Sequence, residues 1–395
     1  MTSATSRVSL SPAAVLVAGL LSLSVAMGIG RFAFTPMLPL MLAEGQLDIA
    51  TAGWVAAANY VGYLLGAMTA SRLKWSATRL CAAALLMTVV LTAAMALPVP
   101  AWVWAAMRLL AGACSAWAFV GTSVWCLGAL ARLQRSAWGS SMYAGVGLGI
   151  AAAGMYCLVG ASLGAAAPSL WMQLAVFATL LCLPVWLMLR RLDAPLPAAA
   201  SLPEATAAPA GLRGLAICYG VFGFGYILPA TFLPVLARSV VEDPRLFGLA
   251  WPVFGTMAAV SALVAGVLLR RATRLQVWAV SNVLMGVGVL LPSLWLAGWS
   301  IALSALLVGG TFMIVTLAGV QEIRARATGD PTRLVARMTS AFAVGQIAGP
   351  VASSLLLHVP TLREQGLDLA LQAGALALFL AAAWLWWEDK ARSRH

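Results

Sequence analysis

Gly28-Ile-Gly-Arg-Phe-Ala-Phe-Thr-Pro-Met-Leu-Pro39 lies at the end of an apolar run that extends from about residue 13 to about residue 41. A helix of about 20 apolar residues spans a bilayer, so this run qualifies, yet it carries Arg31 well inside it. A charge at that depth costs roughly 2.5–3.5 kcal/mol on insertion scales and normally faces a wet cavity or a partner. Arg108 lies at a similar depth in another apolar run. At 1.5 Å of rise per residue, Arg31 stands about 15 Å and Arg108 about 10 Å from the same membrane face. No carboxylate shares either run. Two such arginines without an acid beside them point to a cavity that receives a negative charge. Small and polar neighbours on the same helix faces, Ser24 and Thr35 beside Arg31 and Ser115 and Thr122 beside Arg108, suit a wet cavity better than lipid.

The remaining sequence is of the same kind. Of 395 residues, 62% are hydrophobic and 9% charged, and the mean hydropathy is +0.95. Soluble chains carry roughly a quarter charged residues, so this is an integral membrane protein. Spanning-length stretches fall at residues 13–41, 50–71, 80–97, 101–130, 138–163, 169–189, 213–237, 246–269, 275–297, 299–322, 335–357 and 367–387. They are continuous rather than alternating, and every backbone group in lipid must be paired, so twelve helices are expected rather than a barrel. The first run continues past signal-peptide length and is read as the first membrane helix. Cys81, Cys114, Cys126, Cys157, Cys182 and Cys218 stand singly in apolar sequence, as small core residues rather than disulfides or metal ligands. Trp384, Trp386 and Trp387 read as interfacial anchors.

With the N-terminus in the cytoplasm, 19 lysines and arginines fall on the inner side, from Arg7 to Arg394, and 3 (Arg238, Arg245, Arg363) on the outer side. That asymmetry predicts an inner (plasma) membrane protein with both termini cytoplasmic. It also accounts for the net charge of +12 without a nucleic-acid partner. Residues 190–212, rich in proline and alanine, are expected to form a cytoplasmic linker between an N-terminal six-helix bundle (1–189) and a C-terminal one (213–395). The two halves repeat. Gly28, Gly30, Pro39 and Gly53 recur as Gly223, Gly225, Pro234 and Gly248 at an offset of 195 residues, and Trp102 and Gly112 recur as Trp299 and Gly309 at 197. Tyr226 holds the repeat position of Arg31.

Two six-helix halves joined by a cytoplasmic linker resemble the major facilitator superfamily. The Gly28–Pro39 stretch, followed by Gly53-Trp and Ala58-Asn-Tyr-Val-Gly-Tyr-Leu-Leu-Gly66, resembles the opening of the YbfB/YjiJ-type facilitators. That resemblance implies a secondary transporter whose first, fourth, seventh and tenth helices line the cavity, and it specifies no substrate. One superfamily feature is altered. After the second helix the chain reads Gly66-Ala-Met-Thr-Ala-Ser-Arg-Leu-Lys-Trp75, which keeps the basic residues of the signature loop and lacks its aspartate. Gly145-x-Gly147-x-Gly149 and Gly345-Gln-Ile-Ala-Gly-Pro350 resemble the family's glycine–proline motif. With Gly28 and Gly30, they are expected where helices approach closely and the two halves rock, Gly349 and Pro350 among them.

Arginine stays protonated and presents a planar fork, so carboxylate or phosphate is its natural ligand. An organic anion held by Arg31, with Arg108 assisting, is the expected substrate. Asn59, Tyr60, Tyr143, Tyr219, Tyr226 and Gln346 are candidates to complete the site, each with an ordinary interhelical hydrogen bond as the alternative. Glu322 is the one acid placed within a span. It is a candidate coupling residue should a proton accompany the solute, with pairing to Arg324 or Arg326 as the alternative. No metal or cofactor is expected, and neither is an enzyme: H-E-x-x-H, a paired intramembrane aspartate and a serine with a histidine base are all missing. Polyspecific efflux of amphipathic compounds is the rival transport reading. A membrane receptor is a remoter one, because no sizeable soluble domain would carry its signal.

Overall fold

The computed structural model describes residues 11–70, 72–73, 75–192, 212–240, 248–326, 332–362 and 365–393. Residues 193–211 of the expected linker, with Arg7, Lys74, Arg245, Arg363 and Arg394, lie outside the described residues. The chain forms α1 (Pro12–Ala43), α2 (Ile49–Ala70), α3 (Ala77–Ala94), α4 (Ala101–Arg132), α5 (Ala144–Ser162) and α6 (Ala167–Leu192). The second half follows with α7 (Leu212–Val240), α8 (Ala250–Arg271), α9 (Arg274–Leu294), α10 (Gly298–Arg326), α11 (Thr332–His358) and α12 (Gly366–Arg392). Pro12 opens α1, where its missing N–H would have been unpaired in any case. Ser76 caps α3 by accepting from the Arg79 N–H at 3.2 Å, and Thr273 caps α9 by accepting from the Gln276 N–H at 3.1 Å. The two caps are 197 residues apart, so the repeat extends to the way helices begin.

Among the described residues, eleven of these twelve helices are long and apolar enough to cross a membrane. The exception is α2, which is 22 residues long but diluted by Asn59, Tyr60, Tyr63 and threonines at either end. Its polar residues face inward, and Asn59, Tyr60 and Tyr63 are all buried. Leu86, Val90, Leu180, Leu187, Leu263, Leu376 and Leu380 are exposed instead. In water such a surface would aggregate; here it is the lipid face.

Within each half, helices approach through glycine. A Cβ on Gly28 would lie 2.3 Å from the Gly149 backbone, so α1 and α5 touch main chain to main chain. The second half repeats this contact, with Gly223 of α7 against the Phe342 carbonyl of α11 at 2.3 Å. The halves meet along α2–α11, α5–α8 and α1–α7; the first two exchange under the repeat and the third maps onto itself. The glycines expected at this junction need correction. Gly145 and Gly149 face α1, and Gly345 and Gly349 face α7, all within their own half. Gly30 packs on Thr88 and Ser115, also within its half. Between halves, Gly147 instead lies against Ala259 and Gly255, and Gly53 against Ser354 and the Pro350 carbonyl. Four-residue spacing shows that a helix has a smooth face but not which neighbour uses it.

Candidate functional site

Helix α1 does not run straight through Arg31. It is α-helical over Pro12–Leu23, widens to a π-helix over Ser24–Ile29 and resumes as α-helix at Phe34–Ala43. The Gly30 N–H reaches back five residues to the Val25 carbonyl at 2.8 Å, and the Thr35 N–H turns to the Phe32 carbonyl at 3.2 Å. The carbonyls of Ala26 and Arg31 therefore lose the partners a regular helix would give them. Helix α4 supplies replacements. The Ser115 hydroxyl donates to the Ala26 carbonyl at 2.6 Å. Arg108 donates from Nη1 to the Gly30 carbonyl at 2.9 Å and from Nη2 to the Arg31 carbonyl at 2.5 Å. Asn59 of α2 in turn donates to the Arg108 carbonyl at 2.9 Å. Arg108 is thus a clamp on a broken helix, and both its terminal nitrogens are committed.

The clamp fixes the backbone from which Arg31 projects. Arg31 is 2% exposed. Its Nη2 donates to Gln346 Oε1 of α11 at 2.5 Å, and Gln346 Nε2 donates to the Tyr226 hydroxyl of α7. The guanidinium carbon stands 3.8 Å from the centre of the Tyr63 ring and 5.4 Å from that of Tyr60. Cation–π contact with a desolvated ring contributes up to about 2 kcal/mol. Among the described residues the Arg31 Nε–H has no hydrogen-bond partner. Among the described residues no carboxylate pairs with Arg31 or Arg108; the ion pairs lie on α9, α10 and α12. Beyond Gln346, Tyr226 packs on Phe312 and Phe342 with ring centroids 4.7 and 5.6 Å away.

Arg31, Tyr60, Gln346 and Tyr226 therefore come together, with Asn59 and Arg108 directly behind them. Tyr143 stands apart, donating to Ser123 at 3.2 Å and packing on Phe119. Tyr219 lies one turn below Phe222 and meets the Trp278 ring edge-on, with ring centroids 5.7 Å apart. Glu322 pairs with Arg326 at 2.8 Å and, in place of Arg324, with Arg274 at 2.8 Å. Both partners belong to the second half, at the end of the bundle that bears the linker. The polar neighbours expected to wet a cavity bond between helices instead: Ser24 to the Gly145 carbonyl, Thr122 to Ser22, Thr35 to the Ala230 carbonyl. Tyr63 is the residue the sequence reading passed over. Its position one turn from Asn59 on the same helix was the available signal.

Twelve long helices among the described residues, in two repeated halves that meet around a buried polar cluster, define a major facilitator. Residues 23–385 match the family described as "Uncharacterised MFS-type transporter YbfB", and the chain belongs to that family. No curated protein matches at a significant level. Solved structures show the same fold at low identity. A D-xylose-proton symporter is 13% identical with a TM-score of 0.73, covering 95% of this chain and 96% of its own. The POT family transporter PepTSo is 13% identical with a TM-score of 0.74, covering 98% and 99%. The nucleoside transporter NupG is 16% identical with a TM-score of 0.67, covering 94% and 98%.

Proposed function

We propose that this transporter moves a small organic anion by alternating access, and that Arg31 holds the anionic group. One observation carries the reading: a buried guanidinium at the meeting of the two halves has an unpaired Nε–H and no carboxylate partner. Gln346 occupies one Nη position in the way a ligand oxygen would. An incoming carboxylate would take that position and the free Nε–H as a bidentate pair. Arg108 and Asn59 position the site, and Tyr60, Tyr63 and Tyr226 line it. The rings of Phe312 and Phe342 behind Tyr226 favour a substrate with an apolar body, which keeps amphipathic efflux as the rival.

The bundles at 1–189 and 213–395 would rock about this point, with the 190–212 linker and both termini in the cytoplasm. Glu322 receives a structural role in this scheme, because the partners described above hold it within one half. A thermal-shift panel of carboxylates and phosphates against the purified protein tests the substrate class, since ligand at 100 times its Kd adds about 2.7 kcal/mol of stability. Arg31→Ala should weaken binding of the best anion by about 100-fold. Arg31→Lys should restore part of it, because an ammonium keeps the charge and loses the fork. Unchanged anion affinity in a well-folded Arg31→Ala protein, or stabilisation by organic cations alone, would sink the assignment.

A further inference from the structure

A second pair of arginines stands at the lipid face, far from Arg31. Helices α3 and α6 pack side by side. Between their linker-side ends runs a groove of about 660 Å³ lined by Trp75, Arg79, Ala82, Leu86, Trp186 and Arg190, among others. Among the described residues the lining carries two guanidiniums and no carboxylate. Both arginines are exposed, and neither belongs to the ion pairs among the described residues. Arg79 lies in the first turn of α3, where the helix dipole disfavours a cation and favours an anion. An arginine placed there gains when an anion joins it.

The groove is polar at one end only. Leu86 stands about 10 Å deeper in the membrane than Arg79, and Trp186 about 6 Å deeper than Arg190, at 1.5 Å per residue. Small side chains at Ala82 and Ala83 leave the room between them. Trp75 lies beside the arginines at headgroup level, a usual depth for tryptophan. A charged rim over an apolar slot matches a headgroup over its acyl chain.

We propose that this groove is a binding site for an anionic glycerophospholipid of the linker-side leaflet, its phosphate between Arg79 and Arg190 and one acyl chain along Leu86. It is independent of the Arg31 site. Native mass spectrometry of the full-length protein in detergent, titrated with cardiolipin, phosphatidylglycerol and phosphatidylcholine, tests it. The wild type should retain the two anionic lipids in preference to phosphatidylcholine. Each arginine near a surface adds about fivefold to anionic-lipid affinity. The Arg79→Gln/Arg190→Gln double variant should therefore cut that preference by about 25-fold, and Arg132→Gln/Arg135→Gln should leave it unchanged. Leu86→Trp fills the slot while keeping both charges and should also release the lipid. An undiminished preference in the double variant overturns the proposal. So does full retention in Leu86→Trp, which would mean surface attraction without a groove. Displacement of phosphatidylglycerol by millimolar inorganic phosphate would overturn it too, by making the site one for free phosphate.

Discussion

Arg31 and Arg108 sit one helix apart, are equally buried and have opposite work. Arg108 satisfies the Gly30 and Arg31 carbonyls at the break in α1, and a carbonyl buried without a partner costs about 1–3 kcal/mol. Arg108→Ala should therefore destabilise the protein by at least about 3 kcal/mol, read as a lowered melting temperature before any ligand is added. Arg108→Lys should recover little, since one ammonium cannot span two carbonyls held by a planar fork. A melting curve for Arg108→Ala that overlays the wild type, with anion binding lost, would move Arg108 from clamp to ligand. Arg31 is the reverse case: its removal relieves burial of a charge and leaves only the Gln346 amide short of a partner. Both arginines were legible in the sequence, because a lone charge in an apolar run is conspicuous. Which one is spent on backbone was not legible. That depends on the path of α1 and on Ser115 and Arg108 arriving together from α4, and no local pattern encodes their meeting. Tyr63 illustrates the same limit, since a tyrosine in an apolar helix looks alike whether it faces lipid or a guanidinium.

At the level of elements, helix number, helix order and the repeat could be read directly, because hydropathy and length decide them. Contacts between particular faces could not. Gly147 is the glycine of its motif that meets the other half, with a would-be Cβ 2.2 Å from the Ala259 nitrogen. Gly147→Leu should force α5 away from α8 and slow turnover by more than tenfold in proteoliposomes, with anion affinity in detergent nearly unchanged. Gly349 touches the Ile227 side chain within its own half, so Gly349→Leu should lower stability and leave turnover per folded molecule intact. The opposite pattern would show that α11, rather than α5, is the moving surface. The charges at the ends of α9, α10 and α12 give a third test. Arg326 is 2% exposed at its side chain and lies between Glu322 and Glu388, so Glu322→Gln takes one carboxylate away from a buried cation. The cost should be about 3 kcal/mol in stability, while the dependence of transport on pH keeps its shape. A flattened pH profile would instead make Glu322 the coupling acid.

For the whole molecule, the hydrogen bonds that cross between halves among the described residues gather at Arg31 or on the side away from the linker. Thr35 donates to the Ala230 carbonyl at 2.8 Å, Arg238 donates to the Pro39 carbonyl, and Ser354 donates to the Ala50 carbonyl at 2.9 Å. The first has a plain cause. Pro234 has no N–H for the carbonyl four residues back, so Ala230 is left free and Thr35 takes it. A proline repeated in both halves thus supplies the acceptor that ties them. These contacts describe a transporter shut on the linker-distal side, and alternating access requires them to open. Two neutral or singly charged hydrogen bonds are together worth about 2 kcal/mol, which shifts a two-state equilibrium about 30-fold. Thr231 lies beside them and is 1% exposed. In a Thr231→Cys protein, where the six native cysteines are all buried, an impermeant thiol reagent added on the linker-distal side, the outer side in the topology proposed above, should label slowly. Adding Thr35→Val and Arg238→Gln should raise that labelling rate by about an order of magnitude, as the outward-open population grows. An unchanged rate would mean that the α2–α11 contact at Gly53 and Ser354 holds the linker-distal side closed without help from α1 and α7.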